Sequence, residues 1–145
     1  MKFSDLPLDK NIIKALDEKN FSELFEIQEK SIPVLLESET DFVGQAQTGT
    51  GKTAAFGLPL LSKVGESFNH IQGLILAPTR ELATQIQDEL KEFSKYTKIR
   101  TSVVYGGTPI RDQIKDLKRK KPQILVGTPG RVLDLISRGF IDLSK

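Results

Sequence analysis

Apolar positions recur along this chain in two rhythms, one helical and one of strand length. Between Leu8 and Lys19, residues Leu8, Ile12, Ala15 and Leu16 share one helix face, with Asp9 placed to cap the start and Asn20 to stop it. Phe21, Phe25 and Ile27 follow in a less regular stretch and read as core. A second helical run covers about Ile32 to Glu37, capped by Ser31, with Pro33 in its first turn, where a missing N–H costs little. Asp41-Phe42-Val43-Gly44 is a short strand candidate. After a polar, glycine-containing loop, Ala54, Ala55, Leu58, Leu61 and Val64 trace a helix ending near Gly65, which Pro59 should kink.

The alternation then repeats. Gly73 to Ala77 is a continuous apolar run, and Leu82, Ala83, Ile86, Leu90 and Phe93 line the helix after it. Thr101 to Tyr105 is a third strand, followed by a helix marked by Ile110, Ile114 and Leu117. Ile124-Leu125-Val126 is the fourth strand, and Val132, Leu133, Leu135 and Ile136 line the last helix, before Gly139. Strands that are apolar throughout and alternate with helices predict an α/β fold whose parallel sheet is covered on both faces.

The polar punctuation carries the candidate chemistry. Ala46-Gln47-Thr48-Gly49-Thr50-Gly51-Lys52-Thr53 stands between a strand and a helix. Its glycines allow positive φ, so successive N–H groups can converge on one anion at a helix amino terminus. In that reading Lys52 reaches the β- and γ-phosphates of a nucleotide and the Thr53 hydroxyl holds Mg²⁺, although Ala46 replaces the first glycine of the general phosphate-loop pattern. Three further turns follow three strands: Pro78-Thr79-Arg80, Gly106-Gly107-Thr108-Pro109 and Thr128-Pro129-Gly130-Arg131. Thr108 and Thr128 each precede a proline and are expected to cap helices that begin on it; Thr79 can cap as well. Carboxyl edges of parallel strands are where open α/β folds bind ligands, so these turns could form a track for repeated phosphates; ordinary capping explains each turn taken singly.

Charge sharpens this picture. Residues 1–90 hold 8 Lys/Arg against 14 Asp/Glu, whereas residues 91–145 hold 13 against 5, so a net +2 conceals a basic second half suited to a polyanion. Lys118-Arg119-Lys120-Lys121 accounts for part of it, and cations at a helix end also suit the dipole without any ligand. His70, the single histidine, lies in a polar link and receives no role. With no cysteine, disulfides and thiolate metal sites are excluded. No apolar run approaches the roughly 20 residues needed to span a bilayer, so no membrane partner and a cytoplasmic location are expected.

These residues together resemble the amino-terminal half of a DEAD-box RNA helicase. Ala46 to Thr53 resembles the family's motif I, alanine included; Pro78-Thr-Arg-Glu-Leu82 resembles motif Ia, Gly106-Gly107 the GG element and Thr128 to Arg131 motif Ib. Phe3-Ser4-Asp5-Leu6 with the Phe21 to Gln28 stretch is similar to the Q motif, placing residues 1–30 in that region. The resemblance implies a RecA-like, three-layer P-loop sandwich, incomplete in residues 1–145, that binds ATP and Mg²⁺ through Phe3, Phe21, Gln28 and the loop from Ala46 to Thr53. Phe3 would stack on adenine and Gln28 would bond its edge. RNA phosphates would be held by Pro78, Thr79, Arg80, Gly106, Gly107, Thr128, Pro129, Gly130 and Arg131, with little sequence preference. Asn20, Leu24 and Phe25 depart from the Gly, Pro and Thr of the Q motif.

In the family a strand ending in Asp-Glu-Ala-Asp and a second RecA-like domain follow, and neither is in these residues. The expectation is therefore a chain that binds ATP without measurable hydrolysis, the parent being the ATP-hydrolysing enzyme. Two strands of the family's sheet would be lacking between Asp41–Gly44 and Gly73–Ala77. The gap is closed by direct pairing, by a dimer that exchanges segments, or by the rest of a longer chain. Two other classes stay open: a non-catalytic RNA-binding module and a small P-loop phosphotransferase.

Overall fold

A computed structural model describes residues 1–47 and 51–144. It divides into two units, one made of Met1–Lys63 with Glu92–Thr97, the other of Val64–Lys91 with Lys98–Lys145. The first unit opens with a 3-10 turn at Phe3–Asp5 and carries helices α1 (Lys10–Glu18), α2 (Glu26–Glu37) and α3 (Lys52–Lys63). Asp9 caps α1 as expected, accepting the Asn11 N–H at 2.7 Å, and Asn20 ends the turn beyond it at φ 61°. Phe3, Leu6, Ile12, Leu16, Ile32, Leu58, Leu61 and Phe93 are buried. On the surface, Lys95 and Tyr96 both bond the Glu18 carboxylate, and Lys95 first and Tyr96 second hold it below the usual carboxylate range.

Helix α2 begins at Glu26, more than a turn and a half earlier than the pattern predicted. Gln28 is the reason: its Oε1 accepts the Phe25 N–H at 2.9 Å, the reciprocal half of a capping box, and Glu26 and Glu29 suit the positive end of the dipole. Ser31 is thus a buried residue of the helix interior and not its cap. It has another task. Pro59 in α3 has no N–H to give the Ala55 carbonyl, and the Ser31 hydroxyl approaches that carbonyl at 3.4 Å instead.

The segment Asp41–Gly44 forms no strand. Val43 is 97% exposed, and no described segment offers it a hydrogen-bonding ladder, without which two apolar side chains cannot hold an extended backbone in a sheet. Phe25, expected in the core, is 54% exposed.

The second unit holds β1 (Gly73–Leu76), helix α4 from Arg80 (Arg80–Phe93, its end lying in the first unit), β2 (Thr101–Val104), α5 (Ile110–Lys120), β3 (Ile124–Gly127) and α6 (Pro129–Ser137). The three strands are parallel in the order β1-β3-β2, with Gly73 and Thr101 both opposite Ile124. Central β3 is buried along its length, as a continuous apolar run should be. Val104, Leu117, Leu125, Val132, Leu135 and Ile141 form the core beside it. Gly127 ends β3 because nothing larger fits: a Cβ would lie 2.6 Å from Val132 Cγ2 and 2.8 Å from Val104 Cγ2. Leu82, Leu133 and Ile136, placed on buried helix faces by the pattern, are at least one-third exposed. Among the described residues strand β1 bonds to β3 alone, and Leu74 and Leu76 stay accessible. Among the described residues no helix is long and apolar enough to cross a membrane.

Candidate functional site

The phosphate-loop candidate enters α3. Thr48, Gly49 and Thr50 lie outside the described residues, so the centre of the loop is not part of this description. Gly51 has φ 79°, the left-handed backbone the glycine was read as supplying, and Lys52 is the first residue of α3, with its side chain exposed. The first N–H groups of a helix have no partner within it, so Lys52 and Thr53 stand where a phosphate is best received.

Gln28 is fixed to this loop. Buried to 1% exposure, it accepts from the Phe25 N–H and donates from Nε2 to the Gly51 carbonyl at 3.1 Å, joining the start of α2 to the start of α3. Phe3, which the resemblance sets against adenine, packs inside the same unit. It is 3% exposed and stacks against Phe21 at 5.9 Å between ring centroids, and Phe21 packs on Phe93 at 5.8 Å. The accessible aromatic here is Phe25. With Glu26, Ile27, Lys30, Gln45, Ala46 and Gln47 it lines a cleft of about 410 Å³. Glu26 and Lys30 bond each other at 2.6 Å across one turn of α2, lowering the carboxyl's pKa and raising the ammonium's.

In the second unit the three turns do follow β1, β2 and β3, at the carboxyl ends of the strands. Thr79 caps α4, its hydroxyl accepting the Leu82 N–H at 3.2 Å, and the Arg80 guanidinium carbon lies 4.5 Å from the Tyr105 ring centroid. Thr108 is not a cap: α5 begins at Ile110, after Pro109, and the Thr108 hydroxyl accepts from Gln113 Nε2 at 3.0 Å. Thr128 holds the capping position of α6 with Pro129 first in the helix, but its side chain makes no capping bond. Gly106, Gly107 and Gly130 line open space, where a Cβ would meet nothing within 4 Å, and Gly107 has φ 82°. Arg131 is partly buried and donates to Gln113 Oε1 at 3.1 Å and to the Thr108 carbonyl at 2.9 Å. Gln113 and Phe25 escaped the sequence reading because a glutamine within an amphipathic helix, or a phenylalanine before one, carries no local signature.

Residues 25–145 match the DEAD/DEAH box helicase family. This chain belongs to that family. It is 53% identical over 142 residues to the ATP-dependent RNA helicase CshA of Listeria monocytogenes, covering 98% of this chain and 27% of that protein. The DEAD-box ATP-dependent RNA helicase CshA of Geobacillus kaustophilus is 46% identical over 141 residues, or 97% of this chain and 30% of that one. The chain therefore spans under a third of the length of these relatives. Among solved structures, a DEAD box protein from Methanococcus jannaschii superposes with a TM-score of 0.92 at 45% identity, covering 99% of this chain and 39% of that chain. Dbp5 of S. cerevisiae, solved bound to RNA and ADP BeF3, gives 0.88 at 36% identity, over 98% of this chain and 35% of that one. The α/β fold with its parallel sheet is thus the RecA-like fold of DEAD-box helicases, represented here in part.

Proposed function

We propose that this chain is the ATP-binding and RNA-backbone-binding part of an ATP-dependent RNA helicase. The observation that carries the nucleotide half is the bond from Gln28 to the Gly51 carbonyl, which holds the start of α3 beside an open cleft. The triphosphate lies along residues 46–53 with Lys52 on its terminal phosphates, and the Thr53 hydroxyl holds the Mg²⁺ that accompanies it. The base enters the cleft at Phe25, and the donor and acceptor capacity left on the Gln28 carboxamide meets the adenine edge once the cleft opens. Residues 78–80, 106–107 and 128–131 take RNA phosphates, which gives affinity without base reading. This reading includes a cytoplasmic location for the protein.

Titration with a fluorescent ATP analogue tests the nucleotide half. Lys52→Ala removes a charge-assisted contact and is expected to weaken binding by about ten- to a hundredfold. Unchanged nucleotide affinity alongside salt-sensitive RNA binding would instead mark a non-catalytic RNA-binding module. For the chain by itself we also propose exchange or pairing of segments between two copies along the open edge of β1, supported by the exposed Leu74 and Leu76. Light scattering should show mass rising towards that of a dimer with concentration; a constant monomer mass would remove this part.

A further inference from the structure

Gln113, on α5, belongs to none of the motifs that mark the family in this sequence, yet it is the point at which two of them meet. Its Nε2 donates to the Tyr105 carbonyl at 2.9 Å and to Thr108 Oγ1 at 3.0 Å. Its Oε1 accepts from the Tyr105 N–H at 3.1 Å and from Arg131 Nη1 at 3.1 Å. Both donors and both acceptor sites of the carboxamide are therefore spent, all on the turn after β2 and on the arginine after β3.

The turn between Tyr105 and Thr108 contains two glycines in open space and has little in its own side chains to stiffen it. Gln113 grips it at both ends. Arg131 is held twice, by Gln113 and by the Thr108 carbonyl, yet a guanidinium has more N–H donors than these bonds use. A flexible turn and a long cationic side chain are thus locked in one relation, and their ordering is met on folding and not on binding.

We propose that Gln113 is a positioning residue: it sets the Gly106-Gly107 amides and the Arg131 guanidinium in a fixed relation, so that both meet one stretch of RNA backbone together. This rests on the reading of these turns as an RNA-backbone surface. Gln113 touches no phosphate itself and acts through Arg131 and the turn.

A double-mutant cycle on the affinity of the chain for labelled oligouridine at low salt tests it. Gln113→Met keeps the length of the side chain and removes its bonds; it should weaken binding about tenfold, and the loss in the Gln113→Met, Arg131→Ala double variant should fall clearly short of the sum of the two single losses, because the part of Gln113 that acts through Arg131 is already gone. Additive losses would overturn the proposal. Nitrogen relaxation of the Arg131 Nε–H provides a reading that needs no RNA: ordered in the unsubstituted chain, it should become mobile in Gln113→Met, and unchanged order would also overturn it. Gln113→Glu, nearly isosteric and able to keep Arg131 by charge, should leave that nitrogen ordered while affinity falls, because the carboxylate competes with phosphate. Retained affinity in Gln113→Glu would count against the proposal. If the unsubstituted chain showed no oligouridine affinity, the RNA reading would fail and take the purpose of the clamp with it. The relaxation measurement tells that result from failure of the clamp itself.

Discussion

Gln123→Leu is expected to lower the free energy of unfolding by about 3 kcal/mol, read from urea denaturation, with little change in core volume. Gln123 is fully buried immediately before β3. Its Nε2 donates to the carbonyls of Glu66 at 3.0 Å and Phe68 at 2.9 Å, and its Oε1 accepts the Arg100 N–H at 2.7 Å. The backbone beside it is tied as closely, with Gln72 and Gly73 donating to the Gln123 carbonyl and Gln123 donating to that of Arg100. One amide therefore fixes the link before β1, the entry to β2 and the start of β3. Leucine would leave an amide and two carbonyls short of partners in a region where water enters poorly, at about 1 kcal/mol each. The Arg100 guanidinium adds bonds to the carbonyls of Lys120 and Lys121, where α5 ends, and would be unsettled in turn. A loss below about 1 kcal/mol would mean that water replaces the side chain.

Gly51→Ala should abolish detectable nucleotide binding and cost about 2 kcal/mol of stability. Two penalties coincide at this residue. Its φ of 79° strains any residue with a Cβ, and that Cβ would stand 2.1 Å from Gln28 Nε2 and 3.0 Å from Phe25 Cδ2. The amide must withdraw, which forfeits its bond to the Gly51 carbonyl and disturbs the cap it gives α2. Isothermal titration with ATP and thermal unfolding on the same sample read both effects; near-normal affinity would show that the loop does not depend on Gln28.

Strands β1, β2 and β3, and every helix of the second unit, were legible because their signals are local. Ile124 to Val126 is apolar at each position since both sheet faces are covered, and Pro129 opens α6 where its fixed φ suits the first turn. What escaped depended on distant partners. The start of α2 was misplaced because its cap is a glutamine three residues inward, and the same glutamine reaches across to Gly51. Asp41 to Gly44 has strand-like composition, but composition cannot supply the neighbour a strand bonds to. Phe25, expected in the core, is accessible at a cleft: a phenylalanine reads alike in either place, and only its packing partners, such as the Phe21 ring against Phe3, separate the two. For the candidate sites, the glycines and Arg131 were visible as motif residues, while Gln113, which holds them, was hidden among the polar positions of α5.

The contact between Arg80 and Tyr105 gives the molecule an optical handle. The chain has no tryptophan and only two tyrosines, Tyr96 and Tyr105, so its near-ultraviolet emission comes from those two phenols. Tyr105 lies against a guanidinium on the turn proposed to meet phosphate, whereas Tyr96 bonds Glu18 in the other unit. A polyanion that draws Arg80 off the ring changes the surroundings of one emitter and spares the other. Occupancy of that edge can then be followed on the unlabelled protein, with Tyr105→Phe as the blank.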